Sequence, residues 1–125
     1  MVELCFATNN QHKIAEISQM LGESFKILSL QEIGCVEDLP ENQPTLEGNS
    51  LEKAMYVYQK YGHACFADDT GLEVDVLNGN PGVLSARYAG DQKNSDDNID
   101  LLLKNLEGIS ERSARFRTVI TLITP

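Results

Sequence analysis

The stretch that most constrains this chain is its opening, "VELCFATNNQHKIAEISQML", in which apolar periodicity switches from that of a strand to that of a helix. Val2 to Ala7 is a short, mostly apolar run that stops at Thr8-Asn9-Asn10, as a strand leading into a loop does. Ile14, Ile17, Met20 and Leu21 then recur at helical spacing, with Gly22 placed as a stop. That is a βα unit, and the same grammar repeats downstream. "FKILSL" (Phe25 to Leu30) reads as a second strand, and Leu51, Ala54, Met55 and Tyr58 mark a second helix with Asn49 or Ser50 as its cap. "HACFA" and "LEVDVL" read as two strands joined by an Asp68-Asp69-Thr70-Gly71 turn. Ser95 is placed to cap a third helix, which carries Ile99, Leu102, Leu103 and Leu106, with Asp96 and Asp97 in the first turn where the helix dipole favours acids. The last segment, "ARFRTVITLITP", alternates as a strand and needs sheet neighbours. Strands alternating with helices, without repeats, predict one α/β domain over residues 1–125.

Composition narrows the function. At 125 residues and 42% apolar, the chain has enough material for a real core. Its net charge of -9, with no run of Lys or Arg, argues against a polynucleotide partner. The start lacks the basic head and apolar run of a secretory signal, and no apolar stretch is long enough to span a bilayer, so the expected location is the cytoplasm without a membrane partner. Cys5, Cys35 and Cys65 are odd in number and lack CxxC spacing, which suggests neither a disulfide framework nor a zinc site.

Chemistry enters where local rules are broken. Lys13 and Lys53 each read as first-turn residues of a helix, where the positive end of the macrodipole disfavours a cation. A lone misplaced lysine is usually a solvated side chain. Two of them, each after a polar loop, fit a phosphate site in which free backbone N–H groups and an ammonium both aim at an anion. Asp68 and Asp69 follow a strand, where α/β sheets tend to place ligands; their plainest reading is a turn. Adjacent carboxylates repel, however, and with Glu41 from the long, acidic, proline-containing segment 31–48 they would form the oxygen-rich partial shell that Mg²⁺ accepts. Phosphate-holding lysines beside a carboxylate metal site suggest attack by an activated water on a phosphoanhydride. His12 and His63 lack the neighbours of a triad, Tyr56, Tyr58 and Tyr61 read as packing residues, and "GNPG" lacks Walker spacing.

Read in order, Thr8-x-Asn10-x-x-Lys13, Glu41, Asn49-x-x-x-Lys53, "ADDTGL" and "PGVLSARYAG" resemble the inosine-triphosphate pyrophosphatase family, the purine nucleoside triphosphate pyrophosphatases that cleanse the nucleotide pool. The resemblance implies a mixed twisted sheet flanked by helices, and Mg²⁺-dependent hydrolysis of dITP, ITP and XTP to the monophosphate and pyrophosphate in a cytosolic homodimer. It also implies roles for individual residues. Thr8, Asn10 and Lys13 look like the phosphate-binding loop, Lys53 like a second phosphate lysine, and Glu41 and Asp68 like metal-side carboxylates. Asp69 looks like a metal-side residue that orients or deprotonates the attacking water. Thr70 stands where the family often has Ser, Gly48 where many members have Glu, and Ser85 and Arg87 fall in the loop near the substrate and the dimer interface. The family's Gly-Phe-Gly-Tyr-Asp-Pro and terminal Ser-His-Arg segments, which grip the base, have no counterpart here. The expectation is therefore the N-terminal two thirds of such an enzyme, lacking the C-terminal part of the fold. Competing readings are a Maf-type pyrophosphatase acting on modified pyrimidine triphosphates, against which "ADDTGL" and "SARYAG" speak, and a catalytically silent nucleotide-binding or dimerisation module.

Overall fold

A computed structural model describes residues 2–125. β1 (Val2–Phe6) leads into α1 (Gln11–Leu21), β2 (Phe25–Leu28), a 3₁₀ turn at Gln31–Ile33 and the long segment before α2 (Leu46–Tyr61). There follow β3 (Cys65–Val74), the short β4 (Asn80–Pro81), a 3₁₀ helix at Gly82–Arg87, α3 (Ser95–Asn105) and β5 (Ala114–Ile123). The sheet order is β2-β1-β3-β4, with β5 also pairing with β3. β1 runs parallel to β2 and β3, whereas β4 is antiparallel to β3, so the sheet is mixed as the resemblance implied.

The chain resolves into two compact units. The first contains the residues up to Gln43, Glu47–Asp68 and Val119–Pro125; the second contains Pro44–Leu46 and Asp69–Thr118. In the first unit small side chains let strands and helix close together: Cys5 and Cys65 are register partners on β1 and β3, and Ala54 and Val57 of α2 join the same fully buried cluster. Leu28 and Leu30 close it from the β2 side, and each large aliphatic side chain buried in this way contributes about 1.5–3 kcal/mol. Burial pushes the Cys5 thiol up to about 12 and Cys65 up to about 11, as expected of thiols acting as small hydrophobes.

β3 corrects the expected hairpin. Asp68 to Gly71 do not turn; they lie within one continuous ten-residue strand, β3. Gly71 is absent from the positive-φ residues, so it is needed for another reason. A Cβ at Gly71 would lie 2.3 Å from the carbonyl oxygen of Gly82. The glycine admits the backbone of the following loop against β3, a recognised use of glycine inside a strand. That loop is then latched: Ser85 Oγ accepts from Leu72 N at 2.8 Å and donates to Gly82 O at 2.6 Å. The Asn98 side chain of α3 accepts from Ala89 N and donates to Ala86 O.

Three smaller differences concern helix ends and faces. α3 is capped by Asn94, whose side chain accepts from Asp97 N at 3.0 Å, rather than by Ser95. α2 begins at Leu46, so Asn49 and Ser50 lie inside it and do not cap it. They are buried there, with Asn49 Oδ1 accepting from Gln43 N at 2.8 Å and Ser50 Oγ lying 2.7 Å from Thr121 Oγ1 on β5. The apolar stripes of α1 and α3 are partly exposed, Met20 at 79% and Ile99 at 54%. Cap and stripe are local signals, and they place a helix boundary only to within a residue or a turn. The terminal strand finds its neighbour in β3: Asp75 N bonds Ser113 O at 3.0 Å, and Thr70 and Thr118 hydroxyls meet at 2.8 Å. Among the described residues no helix is long and apolar enough to cross a membrane.

Replacing Gly71 by Ala should destabilise the fold by about 1–3 kcal/mol, the usual cost of forcing an extra methyl into a packed site. Urea unfolding of the variant measures this, and an unchanged midpoint would show that the loop moves away without cost.

Candidate phosphate and carboxylate site

The first unit assembles six of the residues singled out from the sequence. Where β1 ends, Thr8 Oγ1 accepts from Asn10 N at 3.2 Å, and Asn10 caps α1 by accepting from His12 N at 3.0 Å and Lys13 N at 3.2 Å. Lys13 therefore sits in the first turn, as the sequence predicted, though two of the amides expected to be free for an anion are held by Asn10. Lys13 Nζ reaches Asp68 Oδ2 at 2.9 Å. A lysine against the helix dipole is compensated by a carboxylate from β3.

Lys53 belongs to the site for a different reason from the one predicted. It lies two turns inside α2, beyond the reach of the helix terminus, and is 9% exposed. Its ammonium donates to the backbone carbonyl of Asp68 at 2.6 Å and pairs with Glu41 Oε1 at 3.0 Å. Lys13, Asp68, Lys53 and Glu41 thus form one connected chain of alternating charge drawn from α1, β3, α2 and the long segment. Among the described residues no three His, Cys, Asp or Glu side chains gather into a cation-holding group. The expected three-carboxylate shell of Glu41, Asp68 and Asp69 is not assembled in this arrangement, because Glu41 and Asp68 are each directed at a lysine. Their hard carboxylate oxygens remain the donor type that Mg²⁺ prefers.

The second unit holds the remaining candidates. Asp69 Oδ2 is shielded from solvent, and Thr70 Oγ1 is engaged with Thr118. The Ser85 hydroxyl is used twice as a latch, accepting from Leu72 N of β3 and donating to Gly82 O in its own loop. Arg87 ends the 3₁₀ helix and is half-buried.

One cluster was missed. Glu37 accepts from Tyr56 OH at 2.7 Å, from Tyr61 OH at 2.7 and 2.8 Å, and from Lys60 Nζ, which also lies over both tyrosine rings at 5.4 and 5.5 Å. Two tyrosines read as packing residues are hydrogen-bond donors. Lys60, followed by the two tyrosine hydroxyls, holds the Glu37 carboxyl well below the usual carboxylate range, while Glu37 raises Lys60 and Tyr61. A few residues on, Asn42 N and Gln43 Nε2 donate to Glu52 at 2.9 and 2.8 Å, which lowers that carboxyl as well.

Residues 4–125 match the family model described as the Ham1 family. The chain belongs to the Ham1 family. It is 64% identical over 121 residues to a dITP/XTP pyrophosphatase of Flavobacterium johnsoniae and 54% identical over 124 residues to one of Porphyromonas gingivalis. Those matches cover 97% and 98% of this chain but 63% and 64% of the two proteins. Among solved structures it is similar to the Ham1 protein of Staphylococcus aureus, with a TM-score of 0.91 at 36% identity, and to a HAM1 protein of Coxiella burnetii, with a TM-score of 0.92 at 36% identity. Each covers 98% of this chain and 64% of the solved one, so this Ham1-family chain spans just under two thirds of the relatives it matches. The ordered motifs therefore pointed to the right family, and the fold agrees with it.

Because the Glu37 carboxyl is lowered in the folded state, its contribution to stability is present above the ordinary carboxylate value of 4.5 and is lost as pH falls below it. Thermal melts of the parent should fall more steeply between pH 5 and pH 3 than those of Glu37→Gln; parallel pH profiles would remove Glu37 from the acid response.

Proposed function

We propose that this protein hydrolyses deaminated purine nucleoside triphosphates, dITP, ITP and XTP, to the monophosphate and pyrophosphate, that it does so with Mg²⁺ in the cytoplasm, and that it acts as a homodimer. The observation that carries the reading is the chain Lys13–Asp68–Lys53–Glu41, beside the capped N-terminus of α1. Ion pairs poised in this way suit exchange. A polyphosphate that takes over the two ammoniums leaves two carboxylates without counter-charge, and a divalent cation restores the balance. The names of the relatives support the same substrate class.

Products of this kind require the α–β phosphoanhydride to break, with a water oxygen bonding to the α-phosphorus and pyrophosphate leaving. Lys13 and Lys53 hold and neutralise phosphoryl oxygens, and the Thr8-Asn10 turn keeps the start of α1 in the shape that presents Lys13. Glu41 and Asp68 are the carboxylates that would hold Mg²⁺. When bound, the ion supplies charge neutralisation for the leaving pyrophosphate and acidifies coordinated water. Asp69 is assigned to orient the attacking water and take its proton, and Thr70 and Arg87 are assigned to substrate. Ser85, bonded to Leu72 of β3 and to Gly82, is better explained as the latch of its loop.

Pyrophosphate release tests this directly. With Mg²⁺ the protein should turn over dITP and XTP well and dATP poorly, and chelation should stop the reaction. Asp69→Asn should lower kcat by about 10²-fold or more, the usual contribution of a general base. Equal turnover by that variant removes Asp69 from the mechanism, and no preference for dITP over dATP rejects the substrate class.

A further inference from the structure

The long segment before α2 is fastened to that helix at three places, and the order of attachment is opposite along the two elements. Glu37 is held by Tyr56, Lys60 and Tyr61 near the end of α2. Glu41 is held by Lys53 in its middle, and Asn42 and Gln43 by Glu52 and Asn49 towards its start. Asn49, Lys53, Tyr56 and Lys60 are spaced by three or four residues, which puts them on one face of a helix. The segment is a strap running back along that face.

The first fastening is large for what it stabilises. Three donors converge on one carboxylate that is 30% exposed, beside a Lys60 that is 53% exposed. Pairs as accessible as this contribute only modestly to stability. Geometry is what they define: two rigid phenols and an ammonium, all from the end of one helix, leave the Glu37 carboxylate a single position. Only Asp38, Leu39 and Pro40 separate it from Glu41. Leu39 packs against the buried cluster, and proline fixes its own φ. A short, stiffened link transmits the position of Glu37 to Glu41.

We propose that Glu37 is a positioning residue: its clamp on Tyr56, Lys60 and Tyr61 sets the register of the strap and keeps the Glu41 carboxylate on Lys53. The proposal rests on the reading of Glu41 and Lys53 as metal and phosphate groups, and it has a readout that does not depend on turnover. In the intact strap the Lys53 ammonium is occupied by Glu41 and by the Asp68 carbonyl, so it should react slowly with an acylating reagent, whereas exposed Lys26 should react fast.

Two variants open the clamp, Glu37→Gln and the double change Tyr56→Phe with Tyr61→Phe, which keeps both rings. Acetylation followed by peptide mass spectrometry should show Lys53 reacting several-fold faster relative to Lys26 in both. Amide exchange at Asn42 and Gln43 should quicken as well. In turnover assays the Mg²⁺ concentration for half-saturation should rise by about tenfold, the effect expected when the support of a metal ligand is lost. Saturating Mg²⁺ should restore most of kcat, which general destabilisation would not allow. Unchanged Lys53 reactivity in a folded variant overturns the clamp whatever the activity. Faster Lys53 acetylation with an unchanged Mg²⁺ requirement overturns the positioning role. A parent protein without turnover rejects the functional reading instead, and the acetylation and exchange results then decide the strap alone.

Discussion

An ammonium nine-tenths removed from water has to find protein oxygen, and most of the site follows from how Lys53 does so. Desolvating such an ion costs several kcal/mol unless its donors are used. The carbonyl of Asp68 and the carboxylate of Glu41 use them, and each ties a different element to α2. Because the Asp68 carbonyl faces Lys53, the strand is held against the helix there. The Asp68 side chain can then pair with Lys13, which stands on a helix start shaped by Asn10 and Thr8. Removing Lys53 would therefore disturb more than one charge.

The first unit separates two kinds of packing. Its apolar cluster is made of small or aliphatic side chains, among them Cys5, Cys65, Ala54 and Val57, which let α2 lie close to the strands. On the outer face of the same helix the contacts are polar and directional. Close packing settles where the helix sits, and hydrogen bonds settle where the strap sits along it. A loop held by direction is suited to carrying a functional carboxylate, because its position is defined even where burial is slight.

Legibility in the sequence followed the range of the interaction. The βα opening, the Lys13 turn and the family motifs are short, so they could be read directly. Lys53 was selected for its apparent place at a helix terminus, and that reason failed: α2 begins a turn earlier, at Leu46, and Asn49 and Ser50 sit inside it, with Asn49 Oδ1 accepting from the Gln43 backbone amide and Ser50 Oγ beside Thr121 Oγ1. The Asp-Asp-Thr-Gly run has a turn's composition, yet it stays extended within β3, where Thr70 meets Thr118 of β5 and the backbone of Gly82 lies against Gly71. Glu37 was passed over as one acid among several. Its signal was a Tyr–Lys stripe at helical spacing with no other use, and recognising it required knowing that a residue about twenty positions away would lie opposite.

By itself the sequence determined the class of fold and the family, because each rests on periodicity or on ordered motifs within a few residues. Tertiary structure alone decided that Asp68 and Asp69 follow one another along a strand, that Lys53 is buried, and that Glu41 is reached through a strap clamped at Glu37. Those outcomes depend on which backbone and side-chain groups meet across long separations, and a carbonyl such as that of Asp68 carries no mark in the sequence of the ammonium it will accept.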